Sequence, residues 1–133
     1  LRRRSLAARV QEVAESVLLG DEFDKPAAHL PHGGTQWLEI GVGVGRRAQI
    51  MLLHEPTAGM TPGETMMTAG LVRELVETQG VAAIVVEHDM GFVRALDAEV
   101  TVLHLGRVIA EGSMSQIEQD AQVRAVYLGE EVA

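Results

Sequence analysis

Residues 30–56 read LPHGGTQWLEIGVGVGRRAQIMLLHEP, and this segment gives the clearest indication of the fold. Its first part is a glycine-bearing turn over residues 30–34, which opens a helix that we predict to start near Thr35 and to run to about Val42. Because the amide groups at the start of a helix point outward, this turn is a natural site for an anion. The glycines and arginines over residues 41–47 are predicted to end the helix.

The last part of the same stretch is a short apolar run over residues 50–53, which stops at His54, Glu55 and Pro56. An apolar run of this length, closed by an acid and a proline, is typical of a parallel strand that is buried on both faces. Open α/β sheets bind their ligands at the carboxyl ends of their parallel strands. We therefore expect the carboxylate of Glu55 to lie at a ligand-binding edge of the sheet.

The other predicted elements alternate between helices and strands. A second apolar run, over residues 81–86, predicts a second strand, and residues 61–80 between the two strands predict a helix that begins with a capping box and ends at a glycine. The remaining predicted elements are a helix over residues 6–19, a helical turn over 24–29, a helix over 91–96, two strands over 99–104 and 107–110 joined as a hairpin at Leu105-Gly106, and a helical stretch from Ser113 to Leu128. This order predicts an α/β fold with a parallel sheet, flanking helices and one antiparallel edge.

Length and composition limit the class of protein. The 133 residues suffice for one domain with a modest aliphatic core, since 47% are hydrophobic and only 3% are aromatic. A net charge of −8 argues against nucleic acid as a partner, because a phosphate backbone requires a basic face. The absence of cysteine excludes disulfides and thiolate metal sites, and no apolar run reaches the ~20 residues of a membrane span. The chain opens on Leu1 rather than on methionine, which is consistent with a fragment.

Glu55 and His88 each follow an apolar strand in neighbouring βα units, so both side chains are expected at one edge of the sheet. A glutamate beside a phosphate can accept a proton from an attacking water, and a histidine can donate a hydrogen bond to a terminal phosphate. The pair is therefore a candidate for phosphoryl chemistry. The sequence alone equally supports the alternative that both are solvated loop residues, because acids at strand ends are common.

Two other patterns suggest chemistry less strongly. The glycine run over residues 41–45 invites a dinucleotide-binding interpretation, but its spacing is not G-x-G-x-x-G and it follows a predicted helix rather than a strand. The five histidines match no zinc-ligand spacing. Trp37, one turn into its helix, is expected to pack rather than to bind.

Several longer motifs follow one another in an order that resembles one family. They are Gln36-Trp37-Leu38-Glu39-Ile40-Gly41, then Glu55-Pro56 with Ala58-Gly59-Met60-Thr61, then Val86-Glu87-His88-Asp89-Met90, and the ending from Val100 to Gly129. From about Leu30 onward the chain resembles the C-terminal portion of an ATP-binding subunit of ABC transporters, of the urea or branched-chain amino-acid importer type. The fold implied is the C-terminal part of an ABC-type P-loop ATPase domain, with a helical, signature-bearing portion over residues 1–47 and a core portion over residues 48–133 that runs from the Walker B strand to the C-terminus.

The resemblance implies a role for each motif. In that family two ATP-binding subunits sandwich two ATP molecules, and the signature turn of one subunit contacts the γ-phosphate held by the other. By position, Glu55 is the general base, His88 is the switch histidine, and His54 stands where the Walker B aspartate helps to hold Mg²⁺. The signature turn corresponds to Leu30, Pro31, His32, Gly33 and Gly34, and the D-loop corresponds to Ala58, Gly59, Met60 and Thr61.

The resemblance also implies cofactors, partners and a location. The cofactors are ATP and Mg²⁺. The partners are a second ATP-binding subunit, identical or different, and the integral membrane permease subunits, with no nucleic acid. The location is cytoplasmic, on the inner face of the bacterial cell membrane.

The sequence departs from the family pattern in ways that bear on activity. The Walker A motif G-x-x-x-x-G-K-[ST] does not occur in the 133 residues, whose only lysine is Lys25. The neutral imidazole of His54 is a poor ligand for a hard cation such as Mg²⁺. Pro31 replaces the signature serine, which removes both a hydroxyl and a backbone N–H, and Gly34 replaces the glutamine that follows in the family.

These observations leave competing functions. The first is an ATP-binding and ATP-hydrolysing subunit of a urea or branched-chain amino-acid importer, here without the Walker A segment. The second is a catalytically inactive or decayed descendant of such a subunit, acting at most as a structural or interaction module. A third, an unrelated nucleotide-binding α/β domain that uses residues 41–45, has the least support.

Overall fold

The computed structural model describes the backbone of residues 2–127 and the side chains of residues 6–127. The chain divides into two compact units, Leu1–His88 and Asp89–Ala133, and each is described by itself. The motifs predict a different division, into a signature-bearing portion up to residue 47 and a core portion after it. That division is based on functional motifs, and it stays a prediction.

The first unit contains a two-stranded parallel sheet and three α-helices. In chain order its elements are α1 (Arg2–Ser16), two short 3₁₀ helices (Gly20–Glu22 and Ala27–His29), α2 (His32–Gly45), β1 (Ile50–His54), α3 (Pro62–Gln79) and β2 (Ala82–Val86). β1 and β2 pair in parallel, in a register that runs from Ile50 opposite Ala82 to His54 opposite Val86. The parallel sheet and the helix between its strands confirm the predicted α/β order.

Helix α2 differs from the prediction at both ends. It begins at His32, with Pro31 in an extended conformation as its N-cap, and continues through the glycines to Gly45. A Cβ atom at Gly41 would lie 3.0 Å from Cγ2 of Val17, so glycine allows the chain that follows α1 to approach α2 closely. The helix ends within residues 41–47, as predicted, but three residues beyond the expected Val42, because tertiary packing can override the low helix propensity of glycine.

The core of the first unit lies on one side of the sheet. Met51 is buried there together with side chains from α2, from α3 and from the segments that follow α1 and α3: Val17, Leu19, Trp37, Ile40, Leu71, Leu75 and Val81. On the opposite face Leu52 is 74% exposed, and Ile50, Ile84 and Val86 are exposed as well. The prediction that both faces of β1 are buried was therefore wrong for the described residues, in which β1 and β2 form a sheet of two strands.

The predicted start and end of α3 are confirmed. Thr61 and Glu64 form a capping box, with the Thr61 N–H donating to Oε2 of Glu64 at 2.8 Å and the Glu64 N–H donating to Oγ1 of Thr61 at 3.3 Å. Gly80 ends the helix in the left-handed region, at φ 65°, which glycine adopts without a Cβ clash. The buried residues Thr68, Leu71, Val72 and Leu75 form its inner face, whereas Met67 and Val76 are exposed at its margins.

The second unit is an antiparallel hairpin followed and preceded by short helices. Its elements are α4 (Met90–Leu96), β3 (Glu99–His104), β4 (Arg107–Ser113), α5 (Met114–Gln119) and α6 (Ala121–Tyr127). Leu105 and Gly106 connect the two strands with positive φ angles of 49° and 75°, the pattern of a two-residue type I′ turn. The predicted hairpin and the capping box of Ser113 and Gln116 are confirmed. The predicted helical end at Leu128 lies outside the described residues.

Candidate functional site

The first feature of the site is the edge of the parallel sheet at which β1 and β2 end. Glu55 directly follows β1, and His88 follows β2 by two residues. Nδ1 of His88 lies 3.4 Å from Oε1 of Glu55, and the two side chains are 77% and 46% exposed. The expectation that these side chains share one edge is thus met by the geometry. Their exposure leaves them accessible to a ligand.

The backbone at Glu55 turns sharply out of the strand. Its φ angle of 45° lies in the left-handed region, which is sparsely populated for residues other than glycine. Two hydrogen bonds hold this conformation: the Glu55 N–H donates to the carbonyl of Val86 at 2.8 Å, and the Glu55 carbonyl accepts from the Ala58 N–H at 3.1 Å. An unfavourable backbone conformation held in this way at a strand end is a common feature of functional sites.

A buried glutamate that the sequence interpretation missed lies behind this edge. The side chain of Glu87 is only 2% exposed. Its Oε1 accepts from the Thr57 N–H at 3.2 Å and from the Thr57 hydroxyl, and its Oε2 accepts from the His88 N–H at 2.8 Å. The sequence signal was present, since Glu87 ends the second apolar run beside His88, but nothing in the sequence indicated Thr57 as its partner.

The predicted signature turn and D-loop lie against each other. Nε2 of His32, in the first turn of α2, is 2.7 Å from the carbonyl oxygen of Ala58. Gly59 has a φ of 72°, and a Cβ atom built on it would lie 3.0 Å from the His32 ring, so glycine permits this close approach. Leu30 and Pro31 precede the helix in extended conformations, and Pro31 provides no side-chain cap. The first N–H groups of α2 have no acceptor within the helix, as at any helix start.

The D-loop residue Thr61 and the signature-turn residue Gly33 both lie against Glu64 at the start of α3. The carboxylate of Glu64 accepts hydrogen bonds from the backbone and then from the side chain of Thr61, and these bonds lower the pKa of Glu64 below its ordinary value of 4.5. A Cβ atom on Gly33 would lie 2.9 Å from the same carboxylate, so α2 and α3 begin close together.

A buried polar contact links α2 to α3 beneath the D-loop. Nε1 of Trp37 donates to Oγ1 of Thr68 at 2.9 Å, and the Thr68 hydroxyl lies 2.8 Å from the carbonyl oxygen of Glu64 and 3.2 Å from Sδ of Met60. Thr68 is fully buried and Trp37 is 8% exposed. The expectation that Trp37 packs is confirmed.

His54, at the predicted metal position, does not form a metal site. Strand alternation places its side chain on the exposed face of the sheet with Ile50 and Leu52. Among residues 2–127, no three His, Asp or Glu side chains are grouped so as to hold a metal ion. The imidazole of His54 and the carboxylate of Glu55 do not make the oxygen-rich set that Mg²⁺ requires.

Two grooves of the first unit lie away from this edge. One of about 410 Å³ runs between α1 and α2 and is lined mainly by apolar side chains, and another of about 520 Å³ lies beside α1 and the turn at Gly80. Neither is lined by Glu55 or His88, whose side chains are 46% and 77% exposed at the edge of the sheet. In the described part of the chain no helix has the length and apolar character needed to cross a membrane.

Comparison with protein families and curated proteins gives consistent matches. Residues 107–133 match the family described as "Branched-chain amino acid ATP-binding cassette transporter". The chain is 33% identical over 116 residues to the high-affinity branched-chain amino acid transport ATP-binding protein BraF of Pseudomonas aeruginosa, and 31% identical over 116 residues to LivG of Escherichia coli, which bears the same description. Each match covers 87% of this chain and 46% of the relative. The chain therefore spans about half the length of the curated relatives it matches.

Solved structures show the same relationship at the level of the fold. The chain superimposes on the ADP conformation of MJ1267, an ATP-binding cassette of an ABC transporter, with a TM-score of 0.82 and 25% identity, covering 95% of this chain and 51% of that one. It also superimposes on cbiO1 of Clostridium perfringens, part of the ABC transporter complex cbiONQ, with a TM-score of 0.81 and 26% identity, covering 96% of this chain and 51% of that one. The predicted fold class is confirmed by these neighbours.

Proposed function

Because the chain belongs to the ATP-binding subunits of ABC transporters, as a C-terminal portion of the branched-chain amino-acid importer type, we propose that it supplies part of an ATP-hydrolysing site. The observation that carries the proposal is the pair formed by Glu55 and His88, with Nδ1 and Oε1 3.4 Å apart at the carboxyl ends of β1 and β2. Ligands of open α/β sheets bind at this edge.

Each residue of the pair has a distinct chemical role in this proposal. Glu55 accepts the proton of the water that attacks the terminal phosphate, for which its 46% exposed carboxylate is suited. His88 donates a hydrogen bond to the oxygens of that phosphate, where negative charge accumulates during transfer. In this proposal the base and the donor, which lie 3.4 Å apart, face the substrate from the same side.

The proposed arrangement requires a second ATP-binding subunit and a permease. The turn formed by Leu30, Pro31, His32, Gly33 and Gly34 would meet the terminal phosphate bound by the other subunit, with the free N–H groups of α2 facing it. The D-loop of Ala58, Gly59, Met60 and Thr61 would lie at the same subunit interface. Such a subunit would act at the cytoplasmic face of a bacterial membrane by binding to permease subunits. The relatives point to a branched-chain amino acid as the transported solute, and the urea type stays a prediction.

Specific residues favour a second candidate function, that of an inactive module. His54 does not suit Mg²⁺, so no step of hydrolysis is assigned to a metal at that position. Pro31 offers no hydroxyl to a phosphate across a subunit interface. These two features support a chain that retains the fold and the Glu55–His88 pair but does not turn over ATP.

The experiment that separates the two functions is a fusion. The N-terminal half of BraF, which this chain does not match, is placed before Leu1, and phosphate release is measured with Mg²⁺ and ATP. Four proteins are compared: the fusion, the fusion with His54→Asp, the fusion with Pro31→Ser, and the fusion with both changes. Loss of one transition-state contact typically costs ~2.7–4 kcal/mol, or a factor of ~10²–10³ in rate. We expect the unchanged fusion to be nearly inactive and the double reversion to recover most of the rate.

Substitutions of the catalytic pair in the doubly reverted fusion complete the test. Glu55→Gln and His88→Ala should each abolish turnover, with ATP binding retained in Glu55→Gln because the amide keeps the shape of the carboxylate. Turnover that survives Glu55→Gln would refute the assigned base. A fusion that is fully active without either reversion would refute the importance given to His54 and Pro31.

A further inference from the structure

We propose that Glu87 is a positioning residue that fixes the loop after β1 against the residue after β2, and thereby sets the geometry of the Glu55–His88 pair. The inference rests on the proposed function for the meaning of that pair, but the contacts of Glu87 can be tested without nucleotide. No part of the proposed chemistry uses Glu87 itself.

The burial of Glu87 is the first argument. Its side chain is 2% exposed, whereas the neighbouring side chain of His88 is 77% exposed. A carboxylate loses strong hydration when it is buried, and it is stable there only if hydrogen-bond donors replace the water. A buried acid beside an exposed candidate site is therefore held in place by specific contacts.

The identity of its donors is the second argument. The two carboxylate oxygens divide their partners between the two loops of the site. Oε1 accepts from the backbone N–H and the hydroxyl of Thr57, which follows β1, and Oε2 accepts from the N–H of His88, which follows β2. A carboxylate with acceptors on both oxygens can bridge two loops in this way, and hydrogen bonds to a charged acceptor are stronger than neutral ones.

The position of these contacts along the chain is the third argument. Thr57 lies two residues after Glu55 and directly before the D-loop residue Ala58, so fixing Thr57 limits the movement of both. The Glu55 carbonyl also accepts from the Ala58 N–H at 3.1 Å, which closes a tight turn around Thr57. On the other side, the bond from the His88 N–H holds the backbone of His88, and the same oxygen of Glu87 lies 3.6 Å from Nδ1 of the imidazole that faces Glu55. The D-loop in turn contacts His32 of α2 through Ala58.

Hydrogen exchange of the intact chain, followed by NMR, tests this role. Glu87→Ala removes both oxygens, Glu87→Gln keeps one acceptor oxygen and replaces the other by a donor, and Thr57→Val removes only the hydroxyl donor. Glu74→Gln is the matched control, since it makes the same chemical change at an exposed position on α3. We expect the amides of Thr57 and His88 to exchange at least about tenfold faster in Glu87→Ala, because each loses a hydrogen bond to a charged acceptor.

The conservative variant distinguishes positioning from a general loss of stability. In Glu87→Gln the remaining oxygen should restore slow exchange at Thr57 but not at His88, whose N–H would then face an NH₂ group. The β-proton couplings of His88 should show a side chain averaged over rotamers in Glu87→Ala and Glu87→Gln and unchanged in Glu74→Gln. The amides of Leu71, Val72 and Leu75 in α3 should keep their protection in each variant.

The outcomes separate this inference from the proposed function. Unchanged exchange at Thr57 and His88 in Glu87→Ala would overturn the positioning role whatever the ATPase activity. A uniform loss of protection that includes α3 in both Glu87→Gln and Thr57→Val would also overturn it, because the carboxylate would then support the fold as a whole. If Glu87→Ala does not fold, Glu87→Gln and Thr57→Val still decide the question. An inactive reverted fusion with the predicted exchange pattern would refute the proposed function and leave the positioning role intact.

Discussion

The buried contact between Trp37 and Thr68 gives a prediction whose size follows from the structure. Thr68→Val replaces the hydroxyl by a methyl group of similar size, so the substitution opens no cavity. The Trp37 N–H, which donates to Thr68 at 2.9 Å, then remains buried without an acceptor. We expect the variant to unfold at lower denaturant concentration and lower temperature than the unchanged chain.

The expected magnitude comes from the cost of an unsatisfied buried donor. Thr68 is 0% exposed and Trp37 is 8% exposed, so water cannot readily replace the lost acceptor. Leaving one buried partner unsatisfied costs about 1–3 kcal/mol. For a chain of this size, each kcal/mol corresponds to a decrease in Tm of roughly 3–6 °C. The loss should appear as a lower urea midpoint with an unchanged m-value, since the surface exposed on unfolding is the same.

Two controls make the assay specific. Thr65→Val changes another buried threonine of α3, whose hydroxyl makes no hydrogen bond in the described part of the chain, and it should be nearly neutral. Trp37→Phe combined with Thr68→Val removes donor and acceptor together, so the double variant should lose less stability than the sum of the two single variants. Thr68→Val that is no more destabilising than Thr65→Val, or losses that simply add in the double variant, would refute the reasoning.

Three further predictions concern activity, association and pH. The chain by itself should release no more phosphate from ATP with Mg²⁺ than a protein-free control, because its 133 residues contain no P-loop lysine; turnover that Glu55→Gln abolishes would contradict this. Self-association at high concentration should weaken in Leu52→Lys, which places a charge on the exposed apolar face of the sheet, but not in Leu105→Lys at the hairpin turn, where the leucine is 88% exposed. Size-exclusion chromatography at two concentrations compares the two variants. If the unchanged chain is a monomer at both concentrations, the prediction that the apolar face drives association is refuted. Because the pKa of Glu64 in the folded chain is lowered from 4.5, the contribution of this carboxylate to stability is fully present above pH 4.5 and is lost as the pH falls through the lowered pKa. Glu64→Gln should keep the capping box and make the urea midpoint less dependent on acid pH. An unchanged acid dependence would rule out Glu64 as its source.

The helix ends and turns that depend on a few neighbouring residues could be predicted from the sequence. Thr61, Pro62 and Glu64 mark the start of α3, Gly80 marks its end, and Leu105-Gly106 marks the hairpin, because caps and tight turns depend on a few adjacent residues. The edge that brings Glu55 and His88 together was also predictable, since parallel strands place their carboxyl ends together and each residue lies two positions after the end of an apolar run. The order of the motifs then indicated the family.

Features that depend on residues far apart in sequence became visible only in the folded chain. Helix α2 continues three residues beyond the predicted Val42, and there Gly43 lies beside Met51 of β1, a contact that local propensity cannot include. The exposure of one face of β1 could not be predicted from the sequence, because an apolar run has the same pattern whether one or both faces of the strand are covered. The role of Glu87 depends on Thr57, 30 residues away, and the link between α2 and the D-loop depends on His32 reaching Ala58 across 26 residues. Hydrogen bonds between loops depend on how the strands and helices pack. The sequence therefore shows that Glu87 and His32 are present but does not show that they contact Thr57 and Ala58.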